Sequence, residues 1–342
     1  MKHPLLPAIV SGTLLACSFS TLPLEAAYVA QPSEVVYYLG HFDWPDDTGL
    51  KRVTGLGSSS ISNGTSAIFD SLDTAPRAPG YTGSNSIHIG RDIAYNYRTN
   101  EFYILSNTYR GSLDGSPAPF NISYQEIYTF NESFQLTNVS RIKDAGGADY
   151  QSNGISVDQR TGQVYVQRGA DRSTSIYQVD PVSGASSFFA SSSNNFHSFD
   201  IDPVSGQFFF EDGSEFWSAN PSSGSFVVDK YLTTTSSVFA DISLSPNGNL
   251  YITSASLAGS PSVDNLGLTS DLFALAESAG QPLTSSQLNS LVADRVSTSD
   301  YAPFAMTGLV VMDPNFVPIP EPSSLLALSM AGSLCLLRRK RR

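Results

Sequence analysis

Apolar and polar positions alternate in short runs through the middle of the chain, and the runs come in pairs around a tight turn. The clearest pair is residues 199–210, F-D-I-D-P-V-S-G-Q-F-F-F. One run ends at Asp202, Pro203-Val204-Ser205-Gly206 follows, and a second run begins at once. Period-two alternation predicts strands. The turn has its own mechanism: an Asp side chain bonds forward to the backbone, Pro fixes φ, and Gly takes the positive φ that closes the turn. The same pattern recurs at residues 93–104, 155–166 and 242–252. Aligned on the turn, Asn96, Asp158, Asp202 and Ser245 are equivalent, at spacings of 62, 44 and 43. The first spacing is long because residues 106–123 carry a loop rich in Gly, Ser and Pro.

Each unit continues into a second hairpin. Residues 175–180 lead through Pro181-Val182-Ser183-Gly184 into 185–190, and residues 215–220 lead through Pro221-Ser222-Ser223-Gly224 into 226–231. The first unit has 126–131 and 134–142. The fourth has 271–276 as its third strand, then a helix-tolerant stretch to about residue 296. Four antiparallel strands repeated about every 40 to 45 residues are the signature of a β-propeller, one blade per repeat. One such sheet exposes both faces, and stacking in a ring buries them. The expected fold is therefore all-β, a β-propeller of four-stranded antiparallel blades, with four clear repeats and five to seven blades in all. A β-sandwich and a β-solenoid are the rival architectures. Further strands are expected at 34–39, 66–69 and 306–313, with the last pairing to 34–39 to close the ring. A Gly- and Ser-rich stretch of no clear pattern runs to about residue 64, and residues 75–83 read as loop by their Pro and Gly content.

Composition narrows the functions. Of 342 residues, 41% are hydrophobic, enough for a buried core, and only 15% are charged. Net charge is -12, and trimming both ends would remove six basic residues against two acidic ones. Such a body repels phosphate backbones, so nucleic acid is not an expected partner. The two cysteines, Cys17 and Cys335, lie in the terminal apolar segments, which leaves the body no disulfide and no cysteine metal site.

The ends carry an address. Lys2 and His3 precede an apolar run over residues 5–16. As a helix that run covers about 18 Å, short of a bilayer core of roughly 30 Å. With Leu24-Glu25-Ala26-Ala27 behind it, residues 1–27 read as a signal peptide, an N-terminal helix removed by signal peptidase. Leu14-Leu15-Ala16-Cys17 resembles a lipoprotein box, and lipidation of Cys17 stays open. At the other end Pro320-Glu321-Pro322 precedes an apolar run, 325–337, expected to form a hydrophobic helix. Arg338, Arg339, Lys340, Arg341 and Arg342 follow, a basic cluster of the kind that anchors a short span from the cytoplasmic side.

Two resemblances follow from these residues. Pro-Glu-Pro, apolar run and basic cluster, in that order at the chain end, resemble the PEP-CTERM protein-sorting signal. The resemblance implies recognition by an exosortase, transient inner-membrane anchoring, and delivery to the cell surface or matrix of a Gram-negative bacterium that makes exopolysaccharide. The repeat region resembles propellers of the NHL, YVTN and lactonase-like kind, and it lacks the Trp-Asp dipeptide of the WD-repeat branch. The expected domains are 1–27, 28–317 and 318–342.

Candidate chemistry lies just ahead of each turn. Five positions before it stand Arg91, Asn153, His197 and Ala240, and four before it stand Asp92, Gly154, Ser198 and Asp241. In a propeller these positions begin the innermost strand, at the mouth of the central channel, where side chains from different blades converge. Arg91, Asp92, Asn153, His197 and Asp241 are the candidate ligand-binding set. A wet polar channel with no ligand is the plainer reading of the same residues. The lactonase-like resemblance implies a divalent metal held by Asp92, Asn153 and Asp241, with Ca²⁺ as the cofactor to consider, although no Glu recurs there. Asp43, Asp46 and Asp47 lack Ca²⁺-loop spacing and read as a solvated acidic loop. Four sequons, at Asn63, Asn121, Asn131 and Asn138, are what a Ser- and Thr-rich composition produces. The chain has no nucleophile elbow, metalloprotease helix motif or P-loop. The expected function is a non-enzymatic exported surface or matrix protein, binding or structural, with exopolysaccharide as a candidate partner. A secreted metal-dependent hydrolase or lactonase is the alternative.

Overall fold

The computed structural model describes residues 34–41, 48–54, 64–69, 76, 88–110, 121–149, 152–170, 173–254, 257, 262–297 and 306–318. Three strands come first: β1 (Val35–His41), β2 (Thr48–Thr54) and β3 (Gly64–Phe69). Three runs of four follow, each an antiparallel meander. They are β4 (His88–Asn96), β5 (Glu101–Arg110), β6 (Asn121–Asn131) and β7 (Leu136–Arg141); β8 (Gly154–Asp158), β9 (Gln163–Ala170), β10 (Ser173–Val179) and β11 (Ser186–Ser192); and β12 (Ser198–Ile201), β13 (Phe208–Glu211), β14 (Glu215–Ser222) and β15 (Ser225–Thr233). The next run is β16 (Asp241–Leu244), β17 (Asn249–Ser254) and β18 (Ser262–Leu268), then helices α1 (Thr269–Ala279) and α2 (Ser285–Asn289), then β19 (Asp294–Ser297). The last strand, β20 (Met306–Met312), joins the first sheet, in the order β20-β1-β2-β3. The chain ends therefore share one sheet, as the apolar patterns at both ends predict, with Val36 opposite Val311 and Tyr38 opposite Leu309.

The body is all-β, and its first strands form a ring. β20 packs beside β4, β4 beside β8, β8 beside β12, β12 beside β16, and β16 beside β20. The hydrophobic clusters show why the ring closes. Along β13, Phe208 and Phe210 point into a cluster shared with Tyr165 and Ile176 of the preceding sheet, whereas Phe209 points the other way, against Ile242 and Leu250 of the next. On β1, Tyr37 and Leu39 pack against Phe102 and Ile104, while Val36 and Tyr38 pack against Tyr251 and Val263. Ala94 and Leu105 meet Ile155 and Val166 across the remaining seam. Among the described residues every sheet thus buries both faces against its two neighbours, which a lone four-stranded sheet cannot do. A single parallel bridge, Ser191 to Ser225, also links the edges of β11 and β15. The result is a propeller-like body of four-stranded sheets.

The turns behave as the repeat requires. Gly162, Gly206 and Gly248 adopt φ of 78°, 73° and 80°, and Asn100 takes the same place in the first unit at φ 57°. Asp202 accepts the backbone N–H groups of Val204 and Ser205, both at 2.8 Å. At the closing seam Gly308 is needed for a different reason. A Cβ there would stand 2.7 Å from the Cα of Asp92, so the backbones of β20 and β4 approach too closely for any side chain.

Two expectations need correction. Residues 271–276 are helical, inside α1, and the third strand of that unit is β18. Leu272, Phe273 and Ala276 are buried at helical spacing, and the Ala-, Leu- and Glu-rich composition favours a helix there. Conversely β2 forms in the Gly- and Ser-rich stretch, where no strand is expected. Leu50 and Val53 are buried in it, but the adjacent Lys51 and Arg52 and the flanking glycines hide the alternation. The expected terminal helices, residues 42–47, and the segments holding Pro320, Glu321, Pro322 and the basic cluster lie outside the described residues. Among the described residues no helix is long and apolar enough to cross a membrane.

Candidate functional site

Each innermost strand is an edge strand. Its outer side pairs with its own sheet, and its other side presents N–H groups to the channel. Buried N–H groups need acceptors, and the residues at alternate channel positions supply them. Asp92 accepts its own neighbour's N–H, that of Ile93, through Oδ1 and the N–H of Ile155 on β8 through Oδ2, both at 2.7 Å. Asp200 does the same two sheets further on: Oδ1 accepts from Ile201 at 2.8 Å, and Oδ2 accepts from Leu244 of β16 at 2.7 Å. The hydroxyl of Ser156 donates to Asp200 at 2.5 Å, and that of Ser243 at 3.3 Å. Ser243 Oγ in turn accepts the N–H of Val311 on β20, at 3.1 Å. Asp241 Oδ1 accepts from Ile242 at 2.9 Å and from the Ser198 hydroxyl. These side chains stitch neighbouring inner strands together.

Burial sets their protonation. Desolvation holds Asp92 well above the usual carboxylate range, and the nearby Asp241 charge adds to this against the backbone donors. Desolvation also raises Asp241, to about 7, and Asp200, to about 6. Glu211, beside Asp241 on β13, is pushed well up by the same cause. Oδ2 of Asp241 and Oε1 of Glu211 are buried without a hydrogen-bond partner. A protonated carboxyl is the form such surroundings favour.

The channel itself is nearly full. Its cavity, lined by Asp92, Ser156, Asp200, Ser243 and Val311 among others, measures about 20 Å³, room for about one water. The divalent-metal arrangement that the lactonase-like resemblance implies does not fit these residues. Both oxygens of Asp92 already accept backbone N–H groups, and Asn153 is exposed at the mouth. Among the described residues no group of three or more His, Cys, Asp or Glu side chains is placed to hold a metal.

The five candidate residues separate into two levels. Asp92 and Asp241 are buried in the channel wall, at 4% and 2% exposure. Arg91 is half-buried, while Asn153 and His197 are exposed at the mouth above them. Asp200, at the centre of the network, is not among the five. Its position two before the turn carries Ala94, Ser156 and Ser243 in the other units, so the repeat shows small or hydroxyl residues there. The polar character at that register was the available signal. Two of the sequon asparagines are already engaged: Asn131 Oδ1 accepts from Ser133 and Gln135, and Asn138 Nδ2 donates to the carbonyl of Pro181.

The fold and channel define a propeller-like all-β body whose axis is sealed by its own side chains. Comparison with known proteins adds the address: residues 318–342 match the PEP-CTERM protein-sorting motif. The motif implies an exported protein, processed by an exosortase and directed to the cell envelope or surface. No curated protein matches the chain. Among solved structures, a chain of a nidogen/laminin complex is similar at 13% identity and a TM-score of 0.44, over 81% of this chain and 98% of its own. A Bacteroides caccae protein of unknown function is similar at 12% and 0.42, over 82% and 99%. A Thermus putative oxidoreductase (glucose dehydrogenase) is similar at 12% and 0.38, over 67% and 77%.

Proposed function

We propose that the protein is an exported surface or matrix component whose body, a five-bladed β-propeller, serves as a binding or structural module. The reading divides the chain into a signal peptide, 1–27, the propeller body, 28–317, and a sorting segment, 318–342. One observation carries it. The sorting motif matched at 318–342 begins directly behind the strand that completes the ring. In the body both oxygens of Asp92 and of Asp200 accept backbone N–H groups, which speaks against the hydrolase alternative. Ligand contact then falls to the exposed mouth, where Arg91, Asn153 and His197 supply one cation, one amide and one imidazole. Exopolysaccharide is the partner this reading favours, since such side chains hydrogen-bond hydroxyl-rich ligands. Two measurements test it. Deleting residues 325–342 is expected to move the protein out of the membrane fraction; unchanged fractionation sinks the sorting reading. Binding of the exported protein to a panel of bacterial polysaccharides is expected to weaken in Asn153→Ala and His197→Ala, and a panel with no binding at all leaves only the structural role.

A further inference from the structure

The two mouths of the channel differ in what leaves through them. All innermost strands run the same way, so Arg91, Asn153, His197 and Ala240 open one mouth and the four tight turns surround the other. β20 follows the same direction. Gly308 lies beside Asp92, and five residues on the N–H of Asp313 donates to the hydroxyl of Tyr97 at 2.7 Å. The ring of Tyr97 then meets Phe316 at 4.9 Å. The chain therefore leaves at the turn mouth, where Phe316 packs on Tyr97, a residue that lines the channel cavity. Pro320 stands four residues further along, and the apolar run 325–337 begins nine residues on.

That length is decisive. Nine residues reach at most about 30 Å. To set the opposite mouth against a bilayer, the tether must cross from the axis to the rim and then descend the side of a blade. Four strands spaced about 4.8 Å apart and a strand height near 20 Å make that path about 35–40 Å. The tether is too short for it. We infer that, while residues 325–337 are held in a membrane, the bilayer surface lies against the turn mouth, and the mouth bearing Arg91, Asn153 and His197 faces away, open to ligand before the chain is cut free. The inference rests on the sorting reading above.

Single cysteines test it in the full chain with Cys17 and Cys335 replaced by alanine. Val204→Cys marks the turn mouth and Asn153→Cys the other; both positions are exposed. Labelling by a bulky maleimide is followed in membranes and again after detergent solubilisation. The expected result is several-fold slower labelling of Val204→Cys in membranes than in detergent, with Asn153→Cys unchanged. Ser205→Cys and Ala240→Cys repeat the pair, should either first variant fail to fold. Equal labelling of both mouths in membranes, or protection of Asn153→Cys, overturns the orientation alone. A protein found in the soluble fraction overturns the sorting reading together with it.

Discussion

The seam between the β8–β11 and β12–β15 sheets and the channel are both largely buried, yet they are built from opposite chemistry. The seam is aromatic. Phe199, Phe208 and Phe210 stack with interplanar angles of 8° to 25°, and Trp217 lies 5.9 Å from Phe210. The channel is polar, and its carboxylates and hydroxyls serve backbone N–H groups that no strand is left to pair. The same twelve-residue repeat supplies both: Phe199 and Ile201 of β12 face the seam, while Asp200 between them faces the neighbouring inner strand. A blade needs apolar faces to stack, but a closed ring leaves a row of donors around its axis, and only acceptors can fill it.

The comparison can be broken at three points. The largest effect is expected at the seam. Phe210→Ala removes a ring buried among five aromatic partners and is expected to cost ~3–5 kcal/mol, read as a lower urea midpoint. A loss below about 1 kcal/mol would show that the seam is not load-sharing at this ring. Next is the channel. Asp200→Ala leaves the N–H of Leu244 and the Ser156 hydroxyl without their acceptor, at a cost of ~2–4 kcal/mol, while Asp200→Asn, which keeps one acceptor oxygen, loses about half as much. Equal losses in the two variants would mean that volume matters there and acceptors do not.

The smallest effect depends on pH. Asp241 and Asp200 have pKa values raised to about 7 and about 6 in the folded protein, above the ordinary carboxylate value of about 4. Between pH 4 and 7 the folded state therefore binds more protons than the unfolded one, and the stability these groups confer at acid pH is lost as pH rises. The melting temperature is expected to be higher at pH 5 than at pH 8, and Asp241→Asn, fixed in a neutral form, is expected to flatten that slope. A variant whose slope equals that of the parent would remove Asp241 from the account.

Much of this arrangement was readable from residue order. The tight turn Asp202-Pro203-Val204-Ser205-Gly206 and its counterparts after Asn96, Asp158 and Ser245 located the first hairpin of the four repeat units, and the apolar pattern at 306–313 anticipated ring closure. What stayed hidden has physical reasons. In β2 the buried Lys51 keeps its stem in the core, so a charged residue stands where the pattern expects an apolar one. In α1 the short run Leu272-Phe273-Ala274-Leu275-Ala276 suits a strand and a helix alike, and packing against Phe216 and Phe239 decides for the helix. Asp200 escaped because its role, accepting from the next inner strand, exists only once the ring is closed. Asp92 and Asp241 stood out by charge, yet residue order could not separate their buried level from the exposed level of Asn153 and His197 one position away.

The pairing of β1 with β20 also acts as a check on completeness. A chain released early, anywhere before residue 306, lacks the innermost strand of its first sheet and leaves two seams open. The same shortened chain lacks the sorting segment. Such a copy therefore has neither a finished fold nor a delivery label. The strand that completes the architecture stands just ahead of the motif that addresses it.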